Sequence, residues 1–204
     1  MRRNTRGVGE RATPLFLNLF GQPALNRKDA RNFGERIYII MKEILLCKYG
    51  EIVLKGANRK YFEDTLCREL KKRAKLYGNF DIYRAQSTIY IEPKDEMCDF
   101  EGMFEASCKV FGITSVCRCA IAEKTMEDIT RVIKEYIPTF LVGKKTFKVE
   151  CKRSDKSFPL DSMQLAREVG GIILSTLPRL KVDVHNPEEV VVVEIREFGA
   201  YIHA

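Results

Sequence analysis

After its first forty residues, the sequence alternates between segments with the periodicity of a strand and segments with the periodicity of a helix. Phe62, Leu66 and Leu70 recur at every fourth position, which predicts an amphipathic helix over about 58–76. A second, shorter helix is predicted near 99–109. Strands flank both helices, so this part reads strand–helix–strand–strand–helix–strand. The predicted strands lie at about 43–47, 80–84, 88–91 and 113–121.

The last eighty residues continue the alternation in a different order. Thr125 and Asp128 resemble a capping box, which predicts the start of another helix. The four consecutive valines at 190–193 predict a central strand that is buried on both faces of a sheet. The remaining predicted elements are strands at about 145–151, 181–184, 190–195 and 200–203, and a helix at about 162–177.

These patterns predict an α+β fold with two folded domains. The order of elements in residues 41–122 is that of a ferredoxin-like domain, in which both helices share one face of an antiparallel sheet. Residues 123–204 then form an α/β domain, whose boundary could begin as early as residue 100. Residues 1–40 precede both domains and differ from them in composition.

Basic residues are concentrated just before the helix predicted at 162–177. The preceding strand ends in Lys152 and Arg153, and Lys156 lies in the following loop. Asp161 and Gln164 have the spacing of a capping box, which would open the helix. Because a helix start offers free N–H groups and the positive end of the helix dipole, cations beside it favour an anion. The sequence therefore predicts a phosphate-binding site, and RNA is the expected source of the phosphate.

The net charge of +7 is unevenly distributed along the chain. Residues 1–40 hold eight cations and three acidic residues and so carry +5, which leaves only +2 for residues 41–204. The expected explanation is that Met41 is the true start and that the preceding residues are translated upstream sequence, mostly disordered. A basic arm that contacts RNA is the alternative. The case for RNA must therefore rest on local clusters of charge.

The cysteines and histidines do not form a recognisable catalytic or metal site. The seven cysteines are odd in number and scattered, which is typical of reduced thiols in a cytosolic protein. Cys117 and Cys119 would lie on one face of a strand, but a second pair is missing, so no metal site is expected. His185 and His203 are the only histidines of the sequence. No apolar run reaches the ~20 residues of a spanning helix, so a cytoplasmic protein without a membrane partner is expected.

Two motifs carry a resemblance to a known family. One set of segments resembles a THUMP domain: the strand that leads into the loop Lys152–Pro159, the helix containing Gly170, and the segments Val182–Pro187 and Val193–Arg196. Lys48–Phe62 is similar to the amino-terminal ferredoxin-like domain of bacterial tRNA 4-thiouridine synthases, the tRNA sulfurtransferases of the ThiI family, which are also linked to thiamine biosynthesis. The two motifs occur in the order that this family shows, and the resemblance covers residues 41–204.

This resemblance implies a tRNA-binding module that holds the acceptor stem and 3′ end of tRNA. The full-length relatives are ATP-dependent transferases that adenylate a uridine with ATP and Mg²⁺ in a PP-loop domain. The sequence ends at Ala204, where that domain would begin, and nothing in it resembles a nucleotide-binding loop. We therefore expect no catalytic residue, no cofactor and no thiolation by this chain alone. A homodimer is expected from the relatives.

The candidate RNA-binding residues follow from the basic clusters and from the resemblance. Lys152, Arg153, Lys156 and Arg167 are suited to phosphates, and Ser157 and Ser162 to sugars or phosphates. Phe158 either stacks on a terminal base or, as the favoured interpretation, anchors its loop. Lys144 and Lys145 either extend the basic surface or are simply solvated, and the run from Lys71 to Lys75 is interpreted as a solvated helix face. A weaker repeat of the geometry is predicted at Lys48, Lys55, Arg59 and Lys60, beside a helix that Asn58 would cap.

Two other classes of function remain open from sequence alone. A ferredoxin-like regulatory protein that oligomerises through sheet edges is compatible with the fold, although the basic cluster before a capped helix argues against it. A free-standing acylphosphatase-like hydrolase is a third interpretation, but it lacks a convincing Arg/Asn site. A mobility-shift assay with bulk tRNA, with and without its 3′ end, separates the three.

Overall fold

A computed structural model of the chain describes residues 42–50 and 58–204. The predicted extension at 1–40 and the candidate residue Lys55 lie outside the described residues. The helices are α1 (Arg59–Ala74), α2 (Phe100–Cys108), α3 (Met126–Phe140) and α4 (Ser162–Thr176). The strands are β1 (Glu43–Tyr49), β2 (Phe80–Ala85), β3 (Thr88–Pro93), β4 (Ile113–Ala122), β5 (Thr146–Arg153), β6 (Lys181–Val182), β7 (Glu189–Ile195) and β8 (Ala200–His203).

The strands form one continuous sheet in the order β2-β3-β1-β4-β8-β7-β5-β6. Its first four strands are antiparallel and have the arrangement of the predicted ferredoxin-like domain. Ala120 on β4 pairs with Ile202 on β8, and this pairing joins the two halves edge to edge. Beyond β8 the sheet becomes mixed, because β5 runs parallel to both β7 and β6. The α+β fold class is thus confirmed, with two halves that share a single sheet.

All four described helices cover the same face of this sheet. α1 and α2 pack on Leu45 and Cys47, whereas α3 and α4 pack on Ala120 and Ala122. The β1–β4 register places Glu43 opposite Ala120, so these residues lie on one face. The prediction that the helices share one sheet face therefore holds for the ferredoxin-like half and extends to the other half.

The sheet is strongly curled towards its other face. β3 and β7 are four places apart in the sheet order, so in a flat sheet they would be roughly 19 Å apart. Even so, Arg196, directly after β7, donates from Nη1 to Thr88 Oγ1 at 3.0 Å and to Tyr90 Oη at 3.2 Å. In the same way, the ring centroid of Phe198, in the β7–β8 turn, lies 6.2 Å from that of Tyr83 on β2. The end of β7 thus folds back over the ferredoxin-like half.

The helix starts show which local predictions hold. The capping box at α4 is confirmed, because the side chains of Asp161 and Gln164 each accept from the backbone of the other residue. The predicted cap at Asn58 is wrong: its backbone, at φ −89° and ψ 0°, is not extended, and its side chain makes no capping bond.

The four valines are confirmed as part of a central strand, but only Val191 and Val193 are fully buried. Among the described residues, no helix is long and apolar enough to cross a membrane.

Candidate nucleic-acid interface

The loop after β5 is held in place by its own residues. Arg153 Nη1 donates to the carbonyl oxygens of Phe158 and Leu160, both at 3.0 Å. Phe158 is only 4% exposed and packs in the core formed by α3, α4 and the sheet. The interpretation that Phe158 anchors its loop is therefore the one that fits, and its ring is not presented to a base. Arg153 has the same anchoring role, with part of its donor capacity already used.

Asp155 organises the exposed part of this loop. Its carboxylate accepts from Lys124 Nζ at 2.6 Å, and from the hydroxyl and backbone N–H of Ser157 at 2.7 and 2.9 Å. The bond from Lys124 is the main cause that lowers the pKa of Asp155, and the two bonds from Ser157 add to it. The candidate residue Ser157 thus has its hydroxyl proton engaged within the loop.

The start of α4 does not offer the free anion site that the sequence predicts. Asp161 Oδ1 accepts from the N–H groups of Met163 and Gln164, both at 2.8 Å. A carboxylate therefore already occupies the position in which a phosphate would meet these donors. This corrects the expectation that the helix start itself holds the phosphate. Ser162, the first residue of α4, is half-buried.

Three candidate cations do remain available for a ligand. Lys152, Lys156 and Arg167 are exposed, and none of their side chains makes a hydrogen bond or ion pair within the described part of the chain. Lys144 and Lys145 lie instead at the other end of β5, roughly 25 Å from Lys152. Lys144 is also paired with Glu189 at 3.1 Å. The structure therefore does not bring this pair together with the loop cations.

Side chains from both halves meet around a pocket of about 450 Å³. On the ferredoxin-like side, Arg59 Nη2 donates to Ser87 Oγ at 2.7 Å. On the other side, Ser154 Oγ lies 3.0 Å from Gln86 Oε1, which links the β2–β3 turn to the end of β5. The candidates Arg59 and Lys152, predicted from separate motifs, thus approach the same pocket. Its wall includes Gln86, Ser87, Lys152, Ser154, Glu194 and Arg196.

A buried carboxylate forms the floor of this pocket. Glu194 is 1% exposed and accepts from Lys48 Nζ at 2.6 Å and from Arg196 Nε at 2.8 Å. His203 Nε2 lies 3.7 Å from it. Burial alone would raise the pKa of Glu194, but the neighbouring side chains of His203, Lys48 and Arg196 outweigh it and hold the pKa well below its usual range. Glu194 therefore stays charged and fixes the position of Arg196.

Sequence reasoning did not identify most of the residues that line this pocket. Their contacts are between distant segments, such as Lys48 with Glu194, which are 146 positions apart. One local signal was present, because a two-residue hairpin turn usually contains Asn or Gly, whereas this one is Gln-Ser. The lining residues that it missed are Gln86, Ser87, Ser154, Glu194, Ile195 and Arg196.

Among the described residues, the cysteines and acidic side chains offer no second site. Burial raises the pKa of Cys47 to about 12 and also raises that of Cys119, so neither is a ready thiolate. No group of three or more potential metal ligands is found in the part of the chain that the structure describes. The free side chains around the pocket and in the loop after β5 can instead donate hydrogen bonds and neutralise negative charge.

Comparison with known proteins identifies both halves. Residues 44–117 match the ThiI ferredoxin-like domain, and residues 123–203 match the THUMP domain. A probable tRNA sulfurtransferase of Acetivibrio thermocellus is 43% identical over 168 residues, which are 80% of this chain and 42% of that protein. One of Caldanaerobacter subterraneus is 39% identical over 164 residues, again with 80% and 42% coverage. The chain thus spans about two fifths of the length of the curated relatives that it matches.

Solved structures show the same relationship. A crystal structure of a 4-thiouridine synthetase–RNA complex with bound ATP aligns with 79% of this chain and 40% of that chain, at 27% identity and a TM-score of 0.66. The crystal structure of PH1313 from Pyrococcus horikoshii covers 79% of this chain and 53% of that chain, at 26% identity and a TM-score of 0.69. The chain carries a ThiI ferredoxin-like domain followed by a THUMP domain, and over these two domains it is similar to the tRNA sulfurtransferases.

Proposed function

We propose that this chain is the tRNA-binding part of a tRNA sulfurtransferase that makes 4-thiouridine, and that it binds the acceptor stem and 3′ end of tRNA. The observation that carries the proposal is the cluster of exposed, unpaired cations around the loop after β5, in a chain with a THUMP domain. A related 4-thiouridine synthetase was crystallised with RNA, which supports RNA as the ligand class.

The chemistry of this surface suits a folded RNA. A-form RNA presents phosphates and 2′-hydroxyl groups at its surface, so proteins recognise it largely by shape and backbone contacts. Lys152, Lys156 and Arg167 supply mobile positive charge, and the serines of the loop and turn supply hydrogen bonds to sugars or phosphates. Such contacts position an RNA without reading its sequence, so one surface can serve many tRNAs.

Because the chain spans about two fifths of its curated relatives, we propose that the reaction takes place in another part of the whole protein. ATP and Mg²⁺ would act in a PP-loop catalytic domain, and this chain alone would bind tRNA without thiolating it. We further propose that the whole protein is cytoplasmic, contributes to thiamine biosynthesis and acts as a homodimer. For the homodimer and the thiamine link, the support is the resemblance to the tRNA sulfurtransferases.

A mobility-shift assay tests the proposal directly. The chain is titrated against bulk tRNA and against the same tRNA shortened at its 3′ end. We expect a shift with intact tRNA and a weaker one with shortened tRNA. Equal shifts would contradict the acceptor-end assignment, and the absence of any shift would contradict tRNA binding and leave the ferredoxin-like oligomerisation protein as the better interpretation.

A further inference from the structure

The β2–β3 turn contains two residues in a backbone conformation that their side chains disfavour. Gln86 and Ser87 have φ values of 47° and 59°, in the left-handed region where glycine and asparagine are usual. Because this conformation costs free energy for other residues, it often marks a position at which the side chain has a role. The turn points to such a role for both side chains.

Each of these side chains is fixed by one partner and keeps a donor for another. Ser87 Oγ accepts from Arg59, so the proton of its own hydroxyl is free to be donated. Gln86 Oε1 faces Ser154 Oγ, which leaves the two N–H groups of its amide. Among the described residues, no acceptor takes these protons. The pocket therefore has preorganised donors on its ferredoxin-like side.

The charge of the pocket favours an anion. Four charged side chains lie in its wall or directly behind it, and they carry a net charge of +2. Glu194 neutralises only one of the three cations, and the Lys152 side chain, from the other half, makes no hydrogen bond or ion pair among the described residues. A single negatively charged group bound here would meet hydrogen-bond donors on one side and an ammonium group on the other. The four side chains are Lys48, Lys152, Glu194 and Arg196.

We propose that this pocket binds one phosphate group of the RNA, held by Gln86 and Ser87 of the ferredoxin-like domain together with Lys152 of the THUMP domain. The proposal rests on the proposed RNA-binding function and adds to it a specific subsite. Arg196 has its donors committed to Glu194, Thr88 and Tyr90, so it contributes charge and holds the pocket wall. One phosphate would then contact both domains at once.

Replacing Ser87 by glycine separates a binding role from a structural one. Ser87→Gly removes the hydroxyl donor but relieves the left-handed strain, while Arg59 keeps its ion pair with Glu63 at 2.7 Å. We expect about tenfold weaker binding of bulk tRNA and an unchanged or higher melting temperature. A lower melting temperature with unchanged affinity would show that the turn only holds the fold, and it would overturn the assignment.

A double-mutant cycle tests whether the two domains share one phosphate. Lys152→Gln and Ser87→Gly are measured singly and together against bulk tRNA. If both side chains bind the same phosphate, the double variant loses clearly less affinity than the product of the single losses. Losses that multiply would overturn the shared site. Lys145→Gln, at the other end of β5, is the control second site, and its loss should multiply with that of Ser87→Gly.

The outcomes distinguish this subsite from the proposed function as a whole. If the unmodified chain shifts tRNA and Ser87→Gly binds equally well, the pocket assignment fails while the proposed function stands. If the unmodified chain shows no shift, both fail. Competition by inorganic phosphate at millimolar concentration, stronger for the unmodified chain than for Ser87→Gly, would show that the phosphate group itself is recognised.

Discussion

At the scale of single residues, Glu194 has the most consequential environment. It is a charged carboxylate in the interior, and it lies between Lys48 and Arg196, which come from different halves of the chain. A buried charge is tolerated only when hydrogen-bonded partners compensate for lost solvation. Glu194 therefore couples the end of β7 to the ferredoxin-like half and keeps the pocket wall in place.

The pH dependence of stability should depend on Glu194. Because the pKa of this carboxyl is lowered in the folded protein, the unfolded chain takes up the proton first as the pH falls. The stabilisation is complete above the ordinary pKa of about 4.3 and is lost as the pH falls through the lower folded value. We expect Glu194→Gln to lower the free energy of unfolding by about 3 kcal/mol at pH 7 and to flatten its decline between pH 5 and pH 3.

Urea unfolding across this pH range measures the effect. The matched control is Glu105→Gln, because Glu105 is well exposed and lies 3.6 Å from Lys109. That control should change the free energy of unfolding by less than about 0.5 kcal/mol throughout this pH range. If the free energy of unfolding of Glu194→Gln falls with pH as steeply as that of the unmodified chain, the Glu194 carboxyl does not cause the pH dependence.

Phe158 should matter for stability before it matters for RNA. Since its ring fills the core beneath the basic loop, Phe158→Ala should cost about 3–5 kcal/mol of unfolding free energy. Phe111, whose side chain is fully exposed, provides the matched control, and Phe111→Ala should be nearly neutral. A stable Phe158→Ala variant with greatly weakened tRNA binding would instead favour base stacking.

At the scale of elements, the helices and strands follow closely from the sequence because their signals are local. The period of Phe62, Leu66 and Leu70 identified α1, and its predicted end is near the observed one at Ala74. The spacing of Asp161 and Gln164 gave the capping box of α4. What local spacing could not show is that the same Asp161 carboxylate competes with the phosphate expected at this helix start.

Asp161 and Asn58 form a matched pair for testing this point. Asp161→Ala should lower the free energy of unfolding by about 1 kcal/mol, since two N–H groups of α4 lose their acceptor. Asn58→Ala should have little effect, because Asn58 makes no capping bond. Chemical denaturation measures both. If tRNA affinity also rises in Asp161→Ala, the freed N–H groups and the lost negative charge account for it; a fall in affinity would contradict a purely structural cap.

At the scale of the whole molecule, the arrangement of the two halves was beyond sequence reasoning. The curl of the sheet brings Arg196 to Tyr90, which is 106 positions earlier, and no periodicity or motif encodes such a contact. As a result, Arg59 and Lys152 could be predicted separately as candidates but not as neighbours of one pocket. In contrast, Lys144 and Lys145 are close to Lys152 in sequence, yet the length of β5 separates them.

The salt dependence of tRNA binding tests the central claim most directly, namely that the cations at the loop end of β5 contact RNA phosphates. The triple variant Lys152→Gln, Lys156→Gln and Arg167→Gln should flatten the slope of log affinity against log salt by about 2–2.7, since each lost contact contributes roughly 0.7–0.9. A charge-matched control replaces Lys144, Lys145 and Lys181 at the opposite end, where Lys181 pairs beside β5. We predict a much smaller change in slope for the control. Equal slopes for the triple variant and the unmodified chain, or an equal loss in the control, would contradict the account.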